Sequence, residues 1–276
     1  MLLMKLALLQ MAVGEQKQEN LHHAWNMVKD AAQQGAQLAV LPEMFLCPYE
    51  NESFVRSAEE AGGTAWQTLS RTAAENHIWL VGGSFPEKGG EHLYNTCFVF
   101  DPRGRQAARH RKMHLFDIDV EGRQSFRESD TFSAGNDVTV FDTEFGRIGV
   151  CICFDLRFPE LAGLMTQRGA QMLVVPAAFN MTTGPVHWEL LFRQRAVDNQ
   201  LFTAGVAPAR DEAASYVSYA NSILCSPWGT VLARAGSDEA CLLYDVDFSQ
   251  NDAVRHQLPL LSAKRTDIYE LCEKCK

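Results

Sequence analysis

The chain has 276 residues, 46% of them hydrophobic, so it is long enough to bury a large core in one α/β domain or in two smaller ones. Its formal net charge of -9 argues against a nucleic acid or an anionic membrane as partner, because either would require a clustered basic face. A small solute is the expected partner.

No apolar stretch approaches the roughly 20 residues that span a bilayer. The N-terminal run lacks a charged leader and a cleavage site, so we expect a first strand and a cytoplasmic protein.

Apolar runs typical of strands alternate with amphipathic stretches typical of helices along the whole chain. In the first half, we expect strands at residues 6–10, 38–42 and 79–85, helices at 19–33 and 64–75, and a hairpin through residues 95–100 and the turn Asp101-Pro-Arg-Gly104. In the second half, we expect strands at 147–153, 171–176, 201–206, 222–225 and 241–246, a helix from Pro159, another at 187–199, and a turn at Pro227-Trp-Gly229 between the last two strands. This alternation predicts sheets covered by helices, and the absence of a linker or repeat predicts a single domain over residues 1–276.

The eight cysteines do not form a convincing disulfide framework. Cys97, Cys151, Cys225 and Cys241 lie in apolar runs, where a reduced Cys packs as a small hydrophobe. Cys272-Glu-Lys-Cys275 has C-x-x-C spacing, but a structural zinc site needs about four ligands and no second pair or His lies nearby. We therefore predict a solvated tail and no metal site.

Three segments place a reactive side chain at or just beyond an apolar run. They are Leu41-Pro-Glu43, Arg111-Lys-Met-His-Leu-Phe116, and Gly149-Val-Cys-Ile-Cys-Phe-Asp-Leu-Arg-Phe-Pro-Glu160, which contains Cys153. Taken singly, such a Glu is usually solvated, such a Lys is usually a surface charge and such a Cys usually packs in the core. Together, and in this order, they indicate a chemical site.

These motifs and their flanks resemble the nitrilase superfamily of carbon-nitrogen hydrolases over nearly the whole chain. The resemblance implies a Glu-Lys-Cys triad at Glu43, Lys112 and Cys153, a four-layer αββα sandwich, no cofactor, and a homodimer or larger homo-oligomer. It also implies a second carboxylate at Glu128, which would orient the Lys or the substrate. The alternative for Glu128 is an exposed loop acid.

The residue chemistry agrees with that triad. A Cys at a strand end, six residues before a Pro that can open a helix, resembles a strand-to-helix elbow, and a helix N-terminus and an ammonium would both favour its thiolate. Lys112 and the backbone N–H of Phe154 are candidate oxyanion donors, and Glu43 is the candidate proton acceptor. Period-2 alternation places Cys151 on the same strand face, so only the resemblance selects Cys153 as the nucleophile.

A second stretch, Phe179-Asn-Met-Thr-Thr-Gly-Pro-Val-His-Trp-Glu-Leu-Leu191, resembles the omega-amidase subgroup. That resemblance implies hydrolysis of the terminal amide of 2-oxoglutaramate or 2-oxosuccinamate to the dicarboxylate and ammonia. A free carboxylate at the far end of such a substrate needs an anchor, and Arg157 could present a bidentate fork to it. Thr183 could add a hydroxyl, while Tyr49 and Phe179 could wall the pocket. The alternative for Arg157 is that it only supports the fold.

Three other functions stay open from the sequence. The same triad could hydrolyse deaminated glutathione or a carbamoylated amine. The fold could serve as a catalytically silent binding or scaffold protein, although the intact triad argues against it. A thiol redox protein using Cys272 and Cys275 would form a reversible disulfide and release no ammonia from amides.

Overall fold

The structure is a computed structural model that describes residues 3–122 and 124–274. Its strands are β1 (Met4–Gln10), β2 (Leu38–Val40), β3 (Glu59–Glu60), β4 (Trp79–Val81), β5 (Phe85–Gly89), β6 (His92–Phe100), β7 (Gln106–Arg111), β8 (Asp117–Val120), β9 (Gln124–Arg127), β10 (Thr139–Asp142), β11 (Arg147–Val150), β12 (Met172–Pro176), β13 (Phe202–Val206), β14 (Ile223–Cys225), β15 (Val231–Arg234) and β16 (Ala240–Val246). Its helices are α1 (Lys17–Gln33), α2 (Asn51–Ser57), α3 (Thr64–Asn76), α4 (Pro159–Gln167), α5 (Gly184–Asn199) and α6 (Ser249–Gln257), and 3₁₀ turns cover Glu128–Asp130 and Cys153–Arg157.

The first sheet has the strand order β16-β1-β2-β4-β6-β5-β3, and β7 pairs with β6. Strands β1, β2 and β4 run parallel, as expected for apolar strands joined by the helices α1 and α3. Period-2 alternation in β1 decides what each face contacts. Ala7 and Leu9 pack with the buried face of α1, including Leu21 and Val28, whereas Leu8 belongs to the core on the other face.

The second sheet has the order β10-β11-β12-β13-β14-β15, with β11, β12 and β13 parallel. Trp188 and Phe192 of α5 pack on this sheet, and its apolar side chains share one core with Leu8 and Val40 of the first sheet. The layers are therefore helix, sheet, sheet and helix, which confirms the predicted four-layer αββα sandwich. A separate two-stranded hairpin, β8-β9, projects Phe126 toward Tyr49.

Several predicted strand boundaries were wrong. The strands expected at 38–42, 79–85 and 147–153 end at Val40, Val81 and Val150. The last apolar residues of the first and third belong to buried loops, whereas the second is broken at residues 82–84 and Phe85 begins β5. The turn at residues 227–229 connects β14 to β15, a strand that the sequence analysis did not predict. Cys241 is exposed on the edge strand β16 and is not packed in the core.

No helix within the described ranges is long and apolar enough to cross a bilayer. The assignment of residues 1–276 to a single domain stays a prediction.

Candidate active site

The three predicted triad residues each follow a strand. Glu43 lies two residues after Leu41, beyond β2; Lys112 directly follows β7; and Cys153 lies three residues after the end of β11. Their side chains are almost completely buried, with Glu43 and Lys112 at 0% exposure and Cys153 at 4%. The two sheets therefore bring a carboxyl group, an amine and a thiol into one enclosed site.

The Glu43 loop is fixed by the segment that follows β4. Ser84 accepts a hydrogen bond from the N–H of Met44 at 3.2 Å and donates its own N–H to the carbonyl of Pro42 at 3.1 Å. Gly83 has φ +59°, and a Cβ at this position would lie 2.3 Å from the Pro42 carbonyl oxygen. Only glycine allows this close approach, so Gly83 helps to determine where Glu43 points.

Lys112 bridges two buried carboxylates. Its Nζ lies 2.9 Å from Glu43 Oε1 and 2.8 Å from Glu128 Oε2. Asn95 connects the same pair, since its Nδ2 donates to Glu43 Oε1 at 2.9 Å and to Glu128 Oε1 at 3.0 Å. Glu128 also accepts the N–H of Phe116 at 2.6 Å and is fully buried, which contradicts its alternative reading as an exposed loop acid.

The charges in this cluster perturb one another. Burial acts to lower the pKa of Lys112, but Glu128 and Glu43 outweigh it and raise that pKa, so Lys112 stays protonated. Burial raises the pKa of Glu128, and so does Glu43, while Lys112 lowers it. A permanently charged ammonium between two carboxylates is suited to stabilise a negative oxygen that develops on a substrate.

Cys153 occupies a strained elbow. Its φ is +47°, a left-handed conformation that non-glycine residues rarely adopt and that costs about 1–3 kcal/mol. The Cys153–Arg157 turn and then α4, which begins at Pro159, follow it. This geometry agrees with the predicted elbow, although the helix begins six residues beyond Cys153.

Lys112 favours the thiolate of Cys153, as expected, but other effects on this thiol outweigh it. Burial raises the pKa of Cys153 well above its usual value, and the Glu43 carboxylate raises it further; Lys112 and the backbone of Ala178 only partly oppose this. These effects favour the neutral thiol, so attack by the sulfur as predicted would require a base to take its proton. Glu43 is the carboxylate that acts on this thiol.

We expect Glu43→Gln to lower the pKa of Cys153, because the substitution removes the negative charge that opposes ionisation while Lys112 remains. The check is a titration of the ultraviolet absorbance of the thiolate, corrected with the Glu43→Gln/Cys153→Ala double variant. Turnover should fall together with the pKa, since an amide cannot accept the thiol proton. An unchanged or higher thiol pKa in Glu43→Gln would show that Glu43 does not face the thiol.

Cys151 has different surroundings. It lies outside β11, so strand alternation does not place it beside Cys153 as the sequence predicted. Burial raises its pKa, and its charged neighbours are Asp155 and Arg195, not Glu43 or Lys112. The structure therefore brings the base and the ammonium to Cys153 alone of the two thiols.

Asp155 connects the elbow to the Lys112 segment, and sequence reasoning missed it. Its carboxylate accepts hydrogen bonds from the Ile152 N–H at 3.0 Å, from the N–H of His114 at 2.9 Å and from the Nδ1 of His114 at 2.8 Å, and it lies 3.0 Å from His110 Nε2. Burial acts to raise the pKa of Asp155, but these contacts outweigh burial and lower that pKa. The signal in the sequence was an acid within the apolar stretch that follows Gly149, since such an acid needs partners when it is buried.

A narrow pocket opens at Cys153. Arg157, Phe179 and Thr183 line it, and so do Phe116, Phe154, Ala178 and Tyr216. The Arg157 guanidinium lies over the rings of Phe179 (4.7 Å) and Phe154 (5.5 Å), and its Nη1 lies 3.1 Å from His187 Nδ1. Within the described residues, no carboxylate pairs with Arg157 and its buried Nε has no hydrogen-bond partner.

The other predicted pocket residues take more specific positions than expected. Tyr49 is not among the residues that line the Cys153 pocket and lies behind Tyr216, on which it stacks with ring centroids 4.4 Å apart. Its hydroxyl donates to Glu43 Oε1 at 3.5 Å, so it contacts the predicted base. Thr183 immediately precedes α5, and its hydroxyl donates to Asn180 Oδ1 at 3.1 Å. The N–H of Phe154 follows the nucleophile in sequence, and its role stays a prediction.

Among residues 3–122 and 124–274, no group of three or more His, Cys, Asp or Glu side chains is arranged to hold a metal ion. Cys272 is an exposed free thiol. Its predicted redox partner, Cys275, lies outside the described residues.

The sandwich fold and the enclosed Glu-Lys-Cys cluster define a hydrolase that acts through a thiol. The chain belongs to the carbon-nitrogen hydrolase family, which it matches over residues 5–256. It is 49% identical to omega-amidase NIT2 of Bos taurus over 267 residues, covering 97% of each chain. The structure of Saccharomyces cerevisiae Nit3 superimposes with a TM-score of 0.88 at 37% identity, covering 96% of each chain. A mutant of the amidase from Nesterenkonia sp. AN1, 27% identical with a TM-score of 0.78 and covering 93% and 98% of the two chains, shows the product of acrylamide addition at its active-site cysteine.

Proposed function

We propose that this enzyme hydrolyses the terminal amide of small dicarboxylate monoamides such as 2-oxoglutaramate and 2-oxosuccinamate. The observation that supports this most is the pairing, in one narrow pocket, of the nucleophile Cys153 with Arg157, a half-buried cation without a carboxylate partner among the described residues. The similarity to omega-amidase NIT2 points to the same substrates.

The proposed reaction uses the three triad residues in turn. As Cys153 Sγ bonds to the amide carbon, its proton moves to Glu43, and Lys112 stabilises the oxyanion together with the Phe154 N–H. The C–N bond then breaks, and Glu43 returns the proton to the departing ammonia, leaving a thioester. Glu43 next takes a proton from water, and the hydroxide adds to the thioester carbon. The C–S bond then breaks to release the carboxylic acid, and Glu43 returns its proton to the departing Cys153 sulfur, which restores the resting enzyme.

Glu128 and Asn95 hold the cluster in place during these steps. Both contact Glu43 or Lys112 directly while remaining buried. Glu128 therefore orients Lys112 in this proposal and does not itself accept the thiol proton. Tyr49, whose hydroxyl reaches Glu43, has its pKa raised well above its usual value by burial and by the two carboxylates, so it serves as a neutral donor.

The distal carboxylate has a site with the right chemistry. Arg157 can offer a planar pair of donors, the face of Phe179 holds the guanidinium, and Thr183 lies at the N-terminal end of α5, where the helix dipole favours an anion. Burial and the neighbouring Arg157 lower the pKa of His187, so His187 stays neutral. The positive charge that would bind the substrate carboxylate therefore comes from Arg157 and not from His187.

We expect Arg157→Ala to lower kcat/KM for 2-oxoglutaramate by one to two decades, since losing a charge-assisted contact in a partly desolvated site costs about 1.5–3 kcal/mol. Arg157→Lys should recover only part of this loss, because an ammonium lacks the planar fork. The measurement is ammonia release from 2-oxoglutaramate and from a neutral amide of equal length.

The neutral amide is the control, and its turnover should change little. An equal loss for both substrates, or an unfolded Arg157→Ala variant, would assign Arg157 to fold support. The same panel tests the function itself when deaminated glutathione and an N-carbamoyl amine are included. Faster hydrolysis of either of these than of the omega-amides would contradict the proposed substrate.

We further propose that the enzyme works without a cofactor, in the cytoplasm, and as a homodimer or larger homo-oligomer. Side chains perform all three chemical tasks in the proposed mechanism, and the nitrilase resemblance supports the assembly. Loss of activity on chelation, with recovery on adding a metal, would contradict the first point.

A further inference from the structure

A second and larger cavity, of ≈ 270 Å³, adjoins the pocket that holds Cys153. Ala178 and Tyr216 line both spaces, and the Tyr216 hydroxyl donates to the Ala178 carbonyl at their boundary. Glu43 lines the larger cavity, so the proposed proton acceptor lies between the two spaces. We call this larger space the acidic cavity.

The residues that line the two spaces differ in charge. The acidic cavity is lined by Glu15, Glu43, Glu50 and Asp211 and by no Lys or Arg, whereas the Cys153 pocket is lined by Arg157 and by no carboxylate. Lys112 offsets the charge of Glu43 and Arg56 lies 3.8 Å from Glu15, so Glu50 and Asp211 are the main source of negative charge in this cavity. Glu50 is half-buried, and Asp211 is exposed at the rim. A substrate carboxylate is therefore repelled from one side of the reacting bond and attracted to the other.

A second observation points to a ligand in the acidic cavity. Glu43 is 0% exposed, yet its Oε2 has no hydrogen-bond partner among the described residues, although its Oε1 contacts Lys112, Asn95 and Tyr49. A buried carboxylate oxygen without a partner is costly unless a group from solvent or substrate supplies the missing donor. A nitrogen that leaves from the amide is such a donor.

We propose that the acidic cavity is the leaving-group subsite and that it accepts amines carrying a positive charge. The enzyme would then cleave N-substituted omega-amides whose amine portion bears an ammonium, in addition to primary amides. This inference rests on the proposed function, since Arg157 is taken to hold the acyl carboxylate. In the step concerned, the C–N bond breaks, Glu43 delivers its proton to the leaving nitrogen, and the cationic amine departs through the acidic cavity while the acyl group stays on Cys153.

The test compares three glutarate monoamides of matched size, substituted on nitrogen with 2-aminoethyl, propyl or 2-carboxyethyl groups. We expect kcat/KM to follow the order cationic, neutral, anionic, with the cationic amide ahead of the neutral one by about two- to fivefold, as expected for partly exposed ion pairs. The Glu50→Gln/Asp211→Asn double variant should reduce this cationic-to-neutral ratio to near one. The Asp252→Asn/Glu270→Gln control makes the same change in net charge at exposed positions outside the cavity and should leave the ratio unaltered.

Binding of the three amides to Cys153→Ala, measured by calorimetry, gives a readout that does not require turnover. The cationic amide should bind most tightly, and this preference should disappear when Glu50 and Asp211 are also neutralised. Equal affinities, a preference for the anionic amide, or a cationic preference that survives the double variant would overturn the subsite. Failure to hydrolyse primary omega-amides would instead reject the proposed function, and the binding order would still decide the charge preference of the cavity.

Discussion

Cys153→Ala is expected to fold normally and to lose about 10⁴-fold or more in kcat, the order of loss seen when a covalent nucleophile is removed. Cys153 is the described thiol whose pKa responds to both Glu43 and Lys112. Steady-state ammonia release from 2-oxoglutaramate measures the loss, and trapping of the acyl-enzyme by mass spectrometry shows whether the thioester has disappeared.

Cys151→Ala is the matched control. Cys151 is equally buried in the core, lies two residues away and faces Asp155 and Arg195. We expect this variant to retain its acyl-enzyme and most of its turnover, apart from a modest loss of stability on removing a small buried side chain. Retained turnover in Cys153→Ala together with loss in Cys151→Ala would exchange the roles of the two thiols.

The periodicity of the sequence predicted most of the strands and helices, because long apolar and amphipathic runs specify which face a segment buries. The four-layer arrangement was predicted from the family resemblance. The periodicity misplaced the ends of β2 and β11, since the buried loops that follow are as apolar as the strands, and it extended β4 across the break at residues 82–84. Glu43 and Cys153 lie in the loops that follow β2 and β11. Gly83 and Cys153 adopt positive φ, a local conformation that periodicity does not encode.

The sequence also could not show which charges meet. The resemblance had suggested Glu128 as a second carboxylate near Lys112, but Asn95 is distant in sequence from Glu43, and only folding reveals that it contacts the Lys112–Glu43 cluster. For the same reason the net effect on the thiol was not foreseen. The resemblance placed the Lys112 ammonium beside Cys153, but neither it nor the sequence showed the depth of burial or the opposing effect of Glu43 on the thiol.

The second large effect is expected for Lys112→Met, which should lower kcat by roughly 10²-fold or more by removing the oxyanion donor. It should also destabilise the fold. Within the described residues, Lys112 is the only cation paired with Glu43 and Glu128, so its loss leaves two buried carboxyl groups facing each other. Breaking a buried pair in this way costs about 3–5 kcal/mol. Chemical denaturation at neutral pH measures this change in the free energy of unfolding.

The destabilisation of Lys112→Met should depend on pH with a defined sign. Glu128 already has a raised pKa in the folded protein, and removing the ammonium that lowers it raises that pKa further. A carboxyl group with a raised folded pKa contributes stability at low pH that is lost as the pH rises through that pKa. The difference in unfolding free energy between Lys112→Met and the unsubstituted enzyme should therefore be larger at neutral pH than at a pH of about 5.

The Lys112→Met/Glu128→Gln double variant should regain stability at neutral pH without regaining turnover, because it removes the unpaired charge and restores no oxyanion donor. A destabilisation that is independent of pH, or a double variant no more stable than Lys112→Met, would show that Lys112 does not offset the charge of Glu128.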